Sequence, residues 1–220
     1  MIEKFLPRTQ FDSYEDFKAN YRLNIPENFN FSYDVIDEWA RQDAKKPALV
    51  WVDGGAGERR LTFAELSALS MQAANFFTAH GVQKGDFVLL VLKQRVEAWV
   101  CMLALHRIGA IVIPATFQLM PHDIEYRCNK AGIKMICCVD DGELLGNIRQ
   151  VRAACTTLRH VAVVGETIPA DCIDFRRAVA DYPTDFARPA GEAVAAVGIA
   201  DAQRRPLHRL ALGHEQIDPI

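Results

Sequence analysis

The 220-residue chain has no excess of basic charge: 25 Lys and Arg stand against 28 Asp and Glu, for a formal net charge of −3. Such a balance offers no broad positive field to nucleic acid or to an anionic lipid surface, so neither is expected as a partner. No apolar run approaches the roughly 20 residues that cross a bilayer, and no membrane span is expected. The first 17 residues mix acids and bases without an apolar leader core, which leaves the cytoplasm as the expected location. The six cysteines (Cys101, Cys128, Cys137, Cys138, Cys155 and Cys172) form no C-x-x-C pair and no alternating Cys/His ligand set. Cys137 and Cys138 lie inside an apolar run, so reduced thiols in a core are expected rather than a redox or metal site. Also missing is a glycine-rich loop of the G-x-x-x-x-G-K-[ST] or G-x-G-x-x-G layout. The densest glycine cluster, Gly54-Gly55-Ala56-Gly57, fits neither spacing and leads into a hairpin strand, so it reads as a turn.

What is present is ordinary globular material, 50% apolar and 24% charged, in a chain long enough to bury one good-sized core. Residues 1–30 are polar and aromatic, broken by Pro7 and Pro26, and are expected to lie as an arm on a larger body. Val35, Ile36, Trp39 and Ala40 then share one helical face. A strand over residues 48–52, a turn, and a returning strand over residues 59–62 make a hairpin. Thr62 followed by Glu65 is a capping box, in which each side chain satisfies an exposed backbone donor at a helix start. Leu66, Leu69, Ala73, Phe76 and Phe77 continue that helix as an apolar stripe, and Gly81 stands where it should stop.

Residues 87–92 are apolar without alternation, which suits a strand covered on both faces of a parallel sheet. The rhythm then repeats. A helix over residues 96–107 precedes a strand over 110–113. A helix opened by Pro121 precedes a strand over 134–139, and a helix carrying Leu144, Leu145, Ile148 and Val151 precedes a strand over 160–164. Strand and helix alternating at these lengths predict an α/β fold, a mostly parallel sheet with flanking helices joined by right-handed crossovers.

Three segments carry a more specific likeness: Leu61-Thr62-Phe63-Ala64-Glu65-Leu66, then His80-Gly81-Val82-Gln83-Lys84-Gly85-Asp86, then Arg107-Ile108-Gly109-Ala110 running to Pro114. In that order and spacing they resemble the opening of AMP-forming acyl-CoA synthetases, in the adenylate-forming superfamily. Phe29-Asn30-Phe31 with Asp34-Val35-Ile36-Asp37 narrows the resemblance to the medium-chain branch. So does Pro114-Ala115-Thr116-Phe117-Gln118-Leu119 followed by Asp123-Ile124-Glu125-Tyr126-Arg127. The likeness spans residues 11–191 and implies the first α/β subdomain of that fold, with an arm over 1–30 and an irregular tail over 192–220.

In the family so resembled, a carboxylic acid and ATP give an acyl-adenylate and pyrophosphate, and the CoA thiol then displaces AMP. Magnesium balances the phosphate charge. The family's Y-F-T-S-G-T-T-G-x-P-K loop, its Y-G-x-T-E and T-G-D motifs and its C-terminal domain have no counterpart in these 220 residues. The expectation is therefore a truncated chain that holds no cofactor and has no turnover by itself. The alternatives are a non-catalytic α/β assembly module that pairs with a separately encoded remainder, and an unrelated small α/β enzyme. A layer built to be covered is further expected to expose apolar surface and to self-associate.

From Ala193 the likeness stops, where relatives continue with Asn-Asp-Asp and the phosphate loop. Read from the second base of the Gln203 codon, permitted codons through Arg209 spell N-D-D-P-S-I, and Gly213 to Gln216 yield G-T-S in the same frame. A frameshifted tail is expected, and coding DNA unable to spell those residues refutes it. The plainer reading is a solvated tail in which Arg204, Arg205, His208 and Arg209 form a small basic cluster.

The resemblance places Gln118, the glutamine just after P-x-T, near the CoA tunnel, where a neutral amide suits an amide-bearing ligand. Thr116 shapes the same loop. A loop glutamine without a ligand is the other reading. His122 and Glu125 share a helix face with no second such pair, so a solvated surface is expected rather than a metal site. His80 and His106 end helices, where a cation favours the dipole. Asp140 and Asp141 fall at a strand's carboxyl edge, where open α/β sheets often bind ligands, and are expected as loop charge.

Overall fold

The computed structural model describes residues 2–55 and 57–189. Helix α1, Tyr14–Asn20, buries none of its residues. Next come one π-helical stretch, Ser32–Asp37, and its continuation α2, Glu38–Gln42. Strands β1 (Pro47–Val52) and β2 (Glu58–Thr62) pair antiparallel as the expected hairpin. Helix α3 (Phe63–Ala79) leads to β3 (Phe87–Val91), α4 (Val96–Ile108) and β4 (Ile111–Pro114). Then follow α5 (Pro121–Ala131), β5 (Ile133–Val139), α6 (Gly142–Val151) and β6 (His160–Val164). Two short elements that the apolar pattern did not flag, β7 (Ile173–Asp174) and α7 (Phe175–Ala180), complete the order.

The five-stranded sheet runs β4-β3-β5-β6-β7 and every pairing in it is parallel. This is the α/β architecture expected from the alternation. Successive side chains of a strand point to opposite faces, and the unbroken apolar run of β3 serves both. Val88 and Leu90 join Phe76, Phe77, Val100 and Leu103 in one core. Leu89 and Val91 join Ile113, Ile124, Leu144 and Ile148 in the other. No helix among the described residues is long and apolar enough to cross a membrane.

Local chemistry sets the element ends. Thr62 Oγ1 accepts from Glu65 N at 3.2 Å, and Thr62 N donates to Glu65 Oε2 at 2.8 Å, closing the capping box. Replacing Thr62 by alanine removes an acceptor for an exposed helix donor and is expected to cost about 1 kcal/mol, read as a lower urea midpoint at constant slope. Gly109 ends α4 at φ 79°, and a Cβ there would lie 3.1 Å from Lys84 Cγ. The Ala110 amide donates back to Leu105 O at 2.9 Å. Ala110 thus closes the helix, and the strand starts one residue later than the pattern suggested.

The segment before β1 is fastened by buried polar groups. Asn30 Nδ2 donates to His106 O at 2.7 Å and Ser32 Oγ to Leu103 O at 2.8 Å. Both carbonyls belong to the last turns of α4, and that of His106 also accepts from Gly109 N at 3.1 Å. Arg107, fully buried, forks onto Asp37 with Nη1–Oδ2 at 2.8 Å and Nη2–Oδ1 at 2.5 Å. Its Nε donates to Ser70 Oγ at 2.9 Å, and Ser67 Oγ donates to Asp37 Oδ1 at 2.6 Å. Two segments that carried the sequence likeness, residues 29–37 and 107–110, are therefore halves of one hydrogen-bonded joint.

Five of the six cysteines are buried and all six are free thiols. Burial pushes the thiols of Cys101, Cys128 and Cys138 up, away from the reactive thiolate. The irregular tail and its frameshift reading lie outside the described residues.

Candidate functional site

The strand order turns at β3: the chain leaves it for β4 on one side and returns to β5 on the other. Open α/β sheets bind ligands at the carboxyl ends of strands beside such a reversal. An open cleft of about 680 Å³ lies there, with Trp51, Val52, Asp53 and Gly54 of the hairpin on one wall. Lys93, Gln94 and Arg95 follow β3, and Ala115, Thr116 and Phe117 follow β4.

Each lining group has a definite support. Trp51 Nε1 donates to Gln94 O at 2.6 Å, which fixes the indole against the β3–α4 connection. Asp53 Oδ1 accepts from Gly55 N and Gly57 N, both at 2.9 Å. Two amides of the glycine cluster are therefore taken up by a carboxylate of the same turn. Arg95 precedes α4 in extended conformation and makes no side-chain cap. Lys93 has a backbone φ of 51°, the one positive φ at a non-glycine among the described residues. Its ammonium reaches Asp141 Oδ2 at 3.2 Å and lies 3.9 Å from the centroid of the Phe117 ring.

Thr116 lines the cleft, and its Oγ1 accepts the Gln118 amide at 3.3 Å. Both side chains are exposed. Gln118 is bonded to the Thr116 hydroxyl through its backbone, and its own amide group stands outside the cleft lining. Asn147 Nδ2 donates to Leu119 O at 3.1 Å, tying the loop to α6.

The acidic pair at the end of β5 has local partners. Asp141 caps α6 through Leu144 N at 3.2 Å, and that bond with the Lys93 contact lowers its carboxyl pKa. Asp140 Oδ2 accepts from Glu166 N at 2.8 Å, the chief cause of its lowered pKa. A Cβ on Gly165 would meet Asp140 Cγ at 1.9 Å, so only glycine admits this carboxylate. Among the described residues no group of three or more His, Cys, Asp and Glu could hold a metal ion. The magnesium that the resemblance implies finds no fitting donor set among the described residues.

The three histidines weighed in the sequence, His80, His106 and His122, have local surroundings of their own. His122 is 81% exposed and lies 3.5 Å from Asp123 Oδ1 through Nε2. His80 contacts Phe76 O through Nδ1 at 2.8 Å. His106 departs from the expected helix-end cation: both ring nitrogens are buried without a hydrogen-bond partner, and burial lowers its pKa. The unfolded ring takes up a proton as pH falls through its ordinary value of 6.5, while the folded ring resists until lower pH. Stability is therefore lost from about pH 6.5 downward. Thermal melts of the parent and of His106→Leu are expected to diverge in slope below that pH, the parent losing more.

Several lining groups were invisible in the sequence. Lys93 sits in a polar L-K-Q-R turn with no motif around it, and its left-handed backbone has no local signal. Trp51 had one: it lies between Val50 and Val52, which remain 47% and 61% exposed, so alternation points the indole inward.

A family model described as AMP-binding enzyme matches residues 36–196. Over 162 residues the chain is 36% identical to mouse (Mus musculus) mitochondrial acyl-coenzyme A synthetase ACSM3, covering 71% of this chain and 28% of that protein. It is 35% identical over 158 residues to rat (Rattus norvegicus) mitochondrial ACSM5, covering 69% and 27%. Among solved structures, Brucella canis acyl-CoA synthetase superposes with a TM-score of 0.69 at 25% identity, covering 81% of this chain and 34% of that one. The anthranilate CoA ligase AuaEII, solved with anthranoyl-AMP, gives 0.68 at 23% identity, covering 76% and 31%, and supports the fold alone. The chain spans about 28% of the length of the mouse relative it matches. One expectation is overturned: these relatives are mitochondrial, which conflicts with a cytoplasmic location. The absence of an apolar leader core argued against secretion only, since mitochondrial leaders are amphipathic and basic.

Proposed function

Because this chain belongs to the AMP-binding enzyme family, we propose that it is the opening α/β subdomain of a medium-chain type acyl-CoA synthetase. The reaction of the whole enzyme joins a carboxylate to ATP with release of pyrophosphate, and the CoA thiol then displaces AMP to give the thioester. The family match over residues 36–196 is the observation that carries this reading. The part assigned to these residues is a platform for CoA. The loop after β4 presents the Thr116 hydroxyl and the Gln118 amide beside the cleft, and both suit hydrogen bonds to an amide-bearing arm.

The 220 residues by themselves are proposed to be catalytically silent. Adenylation needs donors aimed at the charge that develops on the phosphates. The glycine turn of the cleft spends the Gly55 and Gly57 amides on Asp53. Self-association is part of the same proposal, with Val50, Val52 and Trp99, exposed at 47%, 61% and 53%, as apolar side chains open to it.

A chimera tests the assignment. Residues 36–189 replace the matching segment of a medium-chain acyl-CoA synthetase, and thioester formation from a panel of short and medium acids is measured. Retained turnover is expected. A folded chimera that adenylates acids but fails to transfer them to CoA would remove the CoA platform, and one that does neither would remove the synthetase reading.

A further inference from the structure

Lys93 is the strained point of the cleft. A lysine at φ 51° occupies left-handed backbone that L-residues with a Cβ adopt at a cost, and such outliers persist where the surroundings hold them. What holds this one is visible. A single ammonium bridges two separate elements, the Asp141 carboxylate at the start of α6 (3.2 Å) and the Phe117 ring in the loop after β4 (3.9 Å). That loop carries Thr116 and Gln118, and other side chains tie it through the Asn147–Leu119 bond at 3.1 Å and the Asp123–Met120 bond at 3.2 Å.

We propose that Lys93 is a positioning residue: its ammonium, wedged between the Phe117 ring and the Asp141 carboxylate, latches the 115–120 loop across the cleft. The cation–π contact needs the charge, and so does the carboxylate pair. The latch is therefore electrostatic, and salt weakens its exposed half. Its value for a ligand rests on the CoA reading above: with the loop latched, the Thr116 hydroxyl and the Gln118 amide are held in one stance before the ligand arrives.

The test uses the full chain and three substitutions. Lys93→Met keeps the stem without the charge, Lys93→Arg keeps the charge, and Lys93→Gly removes the charge while relieving the backbone. Chymotrypsin cleavage after Phe117 reports loop opening, and Tm reports global stability. Met and Gly variants are expected to be cut at Phe117 several-fold faster than the parent and the Arg variant, with Tm in the Gly variant unchanged or raised. Equal cleavage in Met and Arg variants, or cleavage that rises at every site in step with a falling Tm, overturns the latch.

Titration with pantetheine separates the two claims. Weaker binding in Lys93→Met than in Lys93→Arg supports the latch and the CoA platform together. No binding by the parent, with the cleavage pattern as expected, overturns the platform and keeps the latch.

Discussion

Arg107→Ala is expected to lose about 3 kcal/mol of stability, the low end of what breaking a buried ion pair costs. The low end applies because the partners are unequally buried: the Arg107 side chain is 0% exposed, whereas that of Asp37 is 25% exposed and keeps some solvent. Truncation leaves the Asp37 carboxylate with the Ser67 hydroxyl but no cation, takes from Ser70 Oγ the donor it accepts, and removes the guanidinium that lies 4.9 Å from the Tyr33 ring centroid. For a protein of this size each kcal/mol moves Tm by roughly 2–4 °C, so a fall on the order of 10 °C is expected. Arg107→Lys keeps the charge but loses the two-pronged geometry, and its loss should fall between parent and alanine. Urea unfolding followed by circular dichroism measures all three. An alanine variant within about 0.5 kcal/mol of the parent would show that the joint contributes nothing beyond an ordinary surface substitution.

Phe76→Ala is expected to cost about 3–5 kcal/mol, the range for deleting a fully buried aromatic side chain. Phe76 is 0% exposed and its ring meets Phe77 and Phe175, each at 5.4 Å between centroids, and Tyr182 at 6.1 Å. These contacts pin α7 and the segment after it to α3. Gln72 Nε2 reinforces them by donating to Tyr182 O at 2.9 Å. Hydrogen exchange should accordingly rise earliest over residues 175–182, ahead of the sheet. Phe76→Leu, which keeps most of the volume, should cost about 1–1.5 kcal/mol. Uniform loss of protection in the alanine variant would contradict the view that this cluster fastens α7 in particular.

The parts legible in the sequence are those set by neighbours along the chain. Thr62 and Glu65 announce a helix start because the box closes within one turn. Residues 87–92 announce a strand buried on both faces because both faces draw on the same short run. Gly109 announces a helix end because glycine alone takes positive φ freely, and it stands at φ 79° just before a strand. The parts not legible depend on distant residues. Asp37 and Arg107 are 70 positions apart, and a fully buried arginine runs against the habit of its type. Residues 32–37 scan as an ordinary amphipathic helix, and nothing local reveals that the first turn is π-helical. The two residues of β7 are too few to carry a period.

The same division holds for the cleft. Thr116 and Gln118 were named through likeness to a family, and the structure brings Thr116 to the lining while Gln118 stays outside it. Lys93, Trp51 and Arg95 reach the same place from two other elements, and no spacing rule joins them. His106 misled for the reason opposite to that of Arg107. A helix-end histidine suggests a cation, but a neutral ring is what an unpartnered apolar site tolerates.

The central claim is that these residues build the sheet, the cleft and its loop but not the grip on ATP. Isothermal titration of the purified 220-residue chain with ATP and magnesium measures it most directly, with a medium-chain acid present and absent. The expected result is no saturable heat at millimolar nucleotide. A saturating isotherm with one nucleotide per chain would contradict it.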